Sequence, residues 1–83
     1  MSENVELNDR LLEDYLAAVY TLTLEGKKAS ASAICRHLET TPKEVRETLK
    51  SLTDNGYIEY SPRKGATLTD YGIETFTFDF SID

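Results

Sequence analysis

Residues 41–56 carry signals for both ends of a single helix, and they constrain the fold more than any other part of the chain. Thr41 is a suitable N-cap, Pro42 occupies the first helical position, where no backbone N–H is needed, and Glu44 completes a capping box. Gly56 suits the left-handed position that follows a helix. The apolar residues between these ends recur at helical spacing: Val45, Leu49 and Leu52. The sequence therefore predicts a helix over residues 42–55.

Two more helices are predicted ahead of this one. Apolar residues spaced i, i+4 and i+8 follow Asn8, a good N-cap, and Gly26 ends the pattern, which predicts a helix over about residues 9–25. Ser32 is predicted to cap a short second helix, which ends before a turn at residues 39–40. A short helix joined by a tight turn to a well-capped helix is typical of a helix-turn-helix.

The period of the sequence changes after Gly56. Residues 57–60 and residues 66–69 are β-prone, and the turn-forming residues 61–65 separate them. A β-hairpin over residues 57–69 is therefore predicted, and Thr69 is expected to cap a short helical turn or a fourth helix.

The C-terminal tail alternates between apolar and polar residues from 76 to 82, which is the period of a half-buried strand. The predicted fold is therefore α+β and mainly α: a winged helix-turn-helix with a three-helix core, a β-hairpin wing and a β-prone C-terminal tail. We expect one domain over residues 1–83, with its core at 9–74 and its tail at 75–83.

The formal net charge is −6, but the basic residues are concentrated in the middle of the chain. Residues 27–64 contain eight basic and five acidic side chains, a net charge of +3, whereas both ends are acidic. Exposed charges are screened over about 8–10 Å, so a phosphate backbone responds to the local field of the surface it docks on. The total charge therefore does not exclude a nucleic-acid partner.

The predicted helix 42–55 buries its apolar stripe and leaves a charged side facing solvent. The exposed side is expected to carry Lys43, Arg46, Glu47 and Lys50. The tip of the hairpin would present Arg63 and Lys64 to a phosphate backbone, and further backbone contacts are expected around the second helix, from Lys27, Lys28 and Arg36. This arrangement suits a helix that reads bases, flanked by side chains that bind phosphates.

A set of short segments is distributed along residues 11–74. They are Glu13-Asp14-Tyr15-Leu16, Val19-Tyr20, Ala33-Ile34, Leu38, Thr41-Pro42, Val45, Leu49, Leu52, Gly56-Tyr57-Ile58 and Leu68-Thr69-Asp70-Tyr71-Gly72. This pattern resembles the N-terminal DNA-binding domain of the DtxR/MntR family of iron- and manganese-dependent repressors. The resemblance implies DNA contacts from the start of the recognition helix and backbone contacts from the wing. The matching positions are Thr41, Pro42, Lys43, Arg46 and Glu47 in the helix, and Arg63 and Lys64 in the wing.

The same resemblance raises the question of a regulatory metal. Asp14 stands where manganese-sensing members have an aspartate ligand, but Ala17 occupies the position of a second acid one helical turn later. The other ligands of the family, and its dimerisation helices, follow the winged domain, and this sequence ends before them. One carboxylate cannot hold a cation that needs several converging donors. We therefore expect no metal site and no cofactor.

The sequence offers no catalytic constellation. It has a single histidine, no glycine-rich phosphate loop, and no nucleophile with a base at a known spacing, so neither enzyme activity nor a small-molecule substrate is expected. Apolar runs fall short of the roughly 20 residues that span a bilayer, and the N-terminus does not look like a secretory signal. The single cysteine rules out an internal disulfide. A cytoplasmic protein without a membrane partner is expected.

Three functional hypotheses remain open at this point. The first is a transcriptional regulator that reads double-stranded DNA with the recognition helix 42–55 and the wing 57–69, as a candidate homodimer through its C-terminal tail. Whether it is a repressor, as the resemblance implies, or an activator stays open. The second is a protein-protein interaction module on a winged-helix scaffold, suggested by the acidic ends, Glu44, Glu47 and the aromatic tail. The third is a metal or small-molecule sensor that uses Asp14.

Overall fold

The computed structural model describes residues 7–79 and confirms the winged helix-turn-helix. Three helices form its core and a two-stranded antiparallel hairpin forms the wing. A short fourth helix follows the wing and continues into a π-helical segment. In chain order the elements are α1 (Asp9–Leu24), α2 (Ala31–Leu38), α3 (Pro42–Asp54), β1 (Ile58–Ser61), β2 (Gly65–Leu68), α4 (Asp70–Glu74) and the π-helical segment (Thr75–Asp79).

The predicted ends of α1 and α3 are confirmed to within one residue. The side chain of Asn8 accepts a hydrogen bond from the backbone N–H of Leu11 at 2.8 Å, which satisfies one of the free donors at the start of α1. Thr41 does the same for α3, because its Oγ1 accepts from the N–H of Glu44 at 3.2 Å. Gly26 adopts a positive φ of 74° after α1. Local sequence signals thus determine both helices.

The start of α2 differs from the prediction. Ser30, not Ser32, is the N-cap, and its Oγ accepts from the N–H of Ala33 at 3.1 Å. The physical reason lies in the wing, because the carbonyl of the buried residue Ala29 accepts a hydrogen bond from the N–H of Ala66 at 2.8 Å. This long-range bond holds the chain extended at residue 29, so the helix begins directly after it.

The hydrophobic core lies between α1, α2, α3 and the hairpin. The predicted stripe of α3, Val45, Leu49 and Leu52, is buried as expected. It packs with residues of the neighbouring elements, and the largest of these with almost no exposed surface are Tyr15, Leu16, Val19, Ile34 and Ile58. Burial of side chains of this size is worth about 1.5–3 kcal/mol each, which makes this cluster the main source of stability. It fixes which side of α3 faces outward.

The wing is held by the pairing of its two strands and by a further contact with another part of the chain. Its register runs from the pair Ile58–Leu68 to the pair Ser61–Gly65. Gly65 also forms a parallel bridge with Ala29, and its φ of 77° is one that glycine adopts readily. The hairpin is therefore attached to the chain just before α2, so that its position beside the helix-turn-helix is fixed.

The predicted C-terminal strand is wrong over the part of the tail that the structure describes. Residues 75–79 continue α4 as a π-helical segment, and residues 80–82 lie outside the described residues. A strand needs a partner strand for its backbone groups, whereas a helical segment satisfies them internally. This conformation buries Phe76, whose ring centroid lies 5.3 Å from that of Tyr20, and leaves Phe78 77% exposed.

Candidate nucleic-acid interface

The outward side of α3 is basic and accessible. Lys43, Arg46 and Lys50 are all exposed, on the side of the helix opposite the buried stripe. Glu47 is half-buried at the margin of this side, which is less accessible than its sequence position suggested. Three cations on one face of a helix create a local positive field that the net charge of the chain does not reveal.

One carboxylate already lies on this side. The Nζ of Lys50 is 3.3 Å from the Oδ2 of Asp54, and both side chains are more than half exposed. An exposed pair at i,i+4 spacing is worth only about 0.3–0.5 kcal/mol. A phosphate could therefore displace Asp54 from Lys50 at little cost.

Two open grooves flank α3, and Arg46 lines both of them. The α2–α3 groove lies within the helix-turn-helix and also contains Arg36, Glu39 and Pro42. The α3–β1 groove lies between α3 and the wing, with Lys50 among its lining residues. Arg46 thus stands between the two grooves, and Arg36, from another helix, shares one of them with it.

The turn between α2 and α3 has an unusual conformation. Glu39 ends α2 with a φ of 56° and a ψ of 48°, which is a left-handed conformation that costs a residue other than glycine about 1–2 kcal/mol. The thiol of Cys35 closes the turn, since its Sγ donates to the carbonyl of Thr40 at 2.9 Å. Cys35 therefore has a structural role in the turn between the two helices.

The wing tip presents the second pair of predicted cations. Arg63 and Lys64 are exposed in the turn between β1 and β2. The backbone N–H of Lys64 donates to the Oγ of Ser61 at 3.1 Å, so the turn has a defined shape.

Lys27 and Lys28 are also exposed, but they belong to the α1–α2 connection and line neither groove beside α3. Lys27 pairs with Glu25 at 3.3 Å.

Tyr60 was not among the predicted site residues, although it lines the α3–β1 groove. The residue is 43% exposed and shares this groove with Arg46 and Lys50. One sequence signal pointed to it. Tyr60 lies two residues after Ile58 and therefore on the same face of the strand, but further from the core.

Beneath this surface, the hydroxyl groups of Tyr15 and Thr48 are buried between α1 and α3. Neither has a hydrogen-bond partner among the described residues. Burial raises the pKa of Tyr15 above its ordinary value of 10.0, and the nearby carboxylate of Glu44 adds to the increase. Tyr15 is therefore neutral at physiological pH.

The described residues do not fit a metal site. Asp14 is exposed on α1, and Ala17 stands one helical turn later. Within residues 7–79, no three His, Cys, Asp or Glu side chains converge as ligands. In the same part of the chain, no helix is long and apolar enough to cross a membrane.

Comparison with known proteins identifies the family. Residues 9–66 match the family model of the iron-dependent repressor, N-terminal DNA-binding domain. The chain belongs to this family. It is 34% identical over 64 residues to an uncharacterized HTH-type transcriptional regulator of Methanocaldococcus jannaschii, covering 76% of this chain and 51% of the relative. It is 31% identical over 61 residues to the HTH-type transcriptional regulator MntR of Oceanobacillus iheyensis, covering 74% of this chain and 42% of the relative.

The comparison confirms the resemblance to the DtxR/MntR family that the sequence segments indicated. It also confirms that the fold is a DNA-binding domain of the transcriptional-regulator class. The family is one of DNA-binding repressors, not of enzymes. The matched range runs from α1 to the start of β2, so it includes the whole of α3. The chain spans about half the length of the curated relatives it matches, or slightly less.

Proposed function

We propose that this protein regulates transcription by binding duplex DNA, with α3 in the major groove and the wing against the adjacent backbone. The observation that supports the proposal is the exposed basic side of α3, formed by Lys43, Arg46 and Lys50 and flanked by the cationic wing tip. The major groove is about 12 Å wide and admits a helix. The proposed function also implies a cytoplasmic location, where such a regulator meets its DNA.

The residues differ in their proposed roles. Arg46, near the middle of the exposed side, reads a base edge, and Lys50 assists it from one turn further along. Thr41, Pro42 and Lys43 lie at the start of α3, where the helix N-terminus favours a phosphate. Arg36, Arg63 and Lys64 bind phosphates on either side, and Lys27 and Lys28 add contacts at the periphery. Glu47 accepts a hydrogen bond from a cytosine amino group or pairs with a neighbouring lysine.

DNA binding can be tested by fluorescence anisotropy with labelled genomic fragments, from about 50 to 200 mM salt. Arg46→Ala is expected to lose sequence preference at a cost of about 1–3 kcal/mol, because a bidentate base contact is removed. Lys64→Ala should weaken all sequences equally and reduce the salt slope by about 0.9, because one released counterion is lost.

Arg10→Ala is the matched control for charge, because Arg10 is exposed in the first turn of α1 and lines neither groove beside α3. It should leave both affinity and slope unchanged. Failure of the unsubstituted protein to bind any fragment at low salt would contradict the proposal. So would an affinity that does not fall as salt rises.

The homodimer through the C-terminal tail is a further part of the proposal, in a modified form. Phe76 packs inside its own chain, so it does not serve as a contact between chains. Phe78 is 77% exposed and Leu24 is 69% exposed, and they lie on two elements that contact each other. Pairing through these side chains would remove them from water. A symmetric dimer would present two recognition helices, as palindromic operators require.

Sedimentation velocity at matched concentrations tests this dimer. The unsubstituted chain should sediment as a dimer and Phe78→Ser as a monomer, whereas Tyr71→Ser, at another exposed aromatic residue, should stay dimeric. If the unsubstituted chain and Phe78→Ser are both monomeric, the dimer through the tail is refuted.

The exposed apolar residues also favour a second function, an interaction with another protein. Leu24, Ile73 and Phe78 are exposed and lie outside α3. Stoichiometric binding of a partner that is abolished by Phe78→Ser but unaffected by Arg46→Ala would support this alternative over DNA binding.

A further inference from the structure

Tyr60 occupies a position that the core does not explain. It lies on the same face of β1 as Ile58, since side chains two residues apart in a strand point to the same side. Ile58 is buried at 1% exposure, whereas Tyr60 is 43% exposed. The cross-strand partner of Tyr60 is Ala66, which is small and buried. The ring of Tyr60 thus extends past the edge of the core, into the space beside α3.

Tyr60 is shared by two grooves. In the α3–β1 groove it lies with Arg46 and Lys50 of the recognition helix. In another groove, along the wing, it lies with Lys64, Ser61 and Glu59. Tyr60 therefore stands between the cations of the recognition helix and a cation of the wing. A ligand that reaches from one group to the other must pass over this side chain.

The chemistry of the position favours an anionic ligand. The hydroxyl of Tyr60 makes no hydrogen bond to another described residue, so its proton is free to be donated. In the α3–β1 groove Arg46 and Lys50 outnumber the one carboxylate, Asp54, and Ala31 and Leu49 add an apolar part to its lining. In the groove along the wing Lys64 faces one carboxylate, Glu59. A sugar-phosphate backbone presents both features that match, an apolar sugar edge and a charged phosphate oxygen.

We propose that Tyr60 holds the DNA backbone at the boundary between the major groove and the wing. Its hydroxyl donates to a phosphate oxygen, and its ring covers the adjacent sugar. This inference rests on the proposed function, because it assigns a further contact residue to the same DNA surface. It identifies a neutral contact between two cationic ones, which fixes the position of the backbone without adding charge.

The competing explanation is that the ring only covers Leu49 and Ala31. In that case Phe would serve as well as Tyr, because the ring is retained and only the hydroxyl is lost. Tyr60→Phe therefore separates the two explanations while it leaves the packing intact. Equal urea unfolding midpoints for Tyr60→Phe and the unsubstituted chain would confirm that the fold is preserved.

The experiment measures the affinity of the full chain for a labelled duplex of mixed sequence, from about 50 to 200 mM salt. Tyr60→Phe is expected to bind about three- to tenfold more weakly at every salt concentration, as for the loss of one hydrogen bond. Its salt slope should equal that of the unsubstituted chain, because no cation is removed. Lys64→Ala should instead reduce the slope by about 0.9. Tyr20→Phe is the matched control, because the ring of Tyr20 contacts Phe76 and lines neither groove. It should bind unchanged.

Two results would overturn the inference while the proposed function stands. The first is an unchanged affinity of Tyr60→Phe, and the second is a loss of affinity accompanied by a smaller salt slope. If the unsubstituted chain does not bind the duplex at all, both the inference and the proposed function are refuted.

Discussion

The glycines provide a quantitative test of how the wing is attached. A Cβ at Gly72 would overlap the carbonyl oxygen of Tyr57, although Gly72 lies in α4 with no positive φ. A Cβ at Gly26 would meet nothing within 4 Å, but Gly26 has a φ of 74°. Alanine at these two positions therefore separates steric overlap from backbone strain.

The magnitudes follow from the contacts. The carbonyl oxygen of Tyr57 accepts from the N–H of Thr69 at 3.1 Å, and a displaced α4 would lose this bond at about 1 kcal/mol. Overpacking adds about 1–3 kcal/mol. The better helix propensity of alanine returns at most about 1 kcal/mol. Gly72→Ala should therefore lower the free energy of unfolding by about 2 kcal/mol, and Gly26→Ala by only about 1 kcal/mol.

Urea and thermal unfolding followed by circular dichroism measure these differences. A loss of about 2 kcal/mol in a domain of this size corresponds to a fall in Tm of about 8–16 °C. Helix propensity alone predicts the opposite sign for Gly72→Ala, a small gain in stability. If Gly72→Ala is as stable as the unsubstituted chain, the close approach of α4 to Tyr57 is refuted.

Two further predictions concern single side chains. Glu39→Gly should raise the free energy of unfolding by about 1 kcal/mol in urea titrations, because the left-handed conformation costs glycine nothing, and a loss of stability would refute the strain assigned to this turn. Tyr15→Phe tests the buried hydroxyl through its raised pKa. Below pH 10.0 the hydroxyl is neutral in both the folded and the unfolded chain, so it does not make stability depend on pH. Above pH 10.0 the hydroxyl of the unfolded chain loses its proton first. The free energy of unfolding therefore falls as the pH rises through the higher pKa of the folded chain. Tyr15→Phe should remove up to about 1.4 kcal/mol per pH unit of this alkaline loss, measured as urea midpoints between about pH 9 and 11, and identical pH profiles for the two proteins would refute it.

What the sequence could predict depended on whether the decisive contact was local. Thr41 and Pro42 act on the residues that follow them, so the start of α3 was predicted correctly. The cap of α2 was not, because the bond from Ala66 to Ala29 that precedes it spans 37 positions and has no local signature. The tail has the period of a strand, but residues 75–79 are helical, and in this conformation Phe76 contacts Tyr20 in α1.

The same distinction between local and long-range contacts applies to the candidate site. Lys43, Arg46 and Lys50 could be placed on the outward side of α3 because helical periodicity determines both sides of a helix once the apolar one is known. Glu47 is less exposed than that reasoning predicts. Helical periodicity indicates the direction of a side chain, but it does not show how far neighbouring elements cover it. The spacing from Ile58 indicates which face of β1 carries Tyr60, but its place beside Arg46 depends on how the hairpin lies across α3, which is a tertiary arrangement.

The segment Leu68–Gly72 shows how the wing and α3 are held in one arrangement. Thr69 caps α4 by accepting from the N–H of Gly72 at 3.0 Å, and its Oγ1 donates to the carbonyl of Gly56, directly after α3, at 2.6 Å. A single threonine thus links the end of the wing to the end of α3. The second attachment is the bridge from Gly65 to Ala29, where a Cβ at Gly65 would lie 2.7 Å from a carbonyl oxygen.

With both attachments in place, the wing tip keeps a fixed distance from α3. DNA binding then need not order the hairpin, and the entropic cost of association is smaller. Gly65→Ala should accordingly weaken DNA binding beyond its effect on stability, because the wing loses its position. Gly26→Ala, which perturbs neither attachment, should not. The comparison requires both variants at a temperature where circular dichroism shows them folded, and equal DNA affinities there would refute a positional role for the wing.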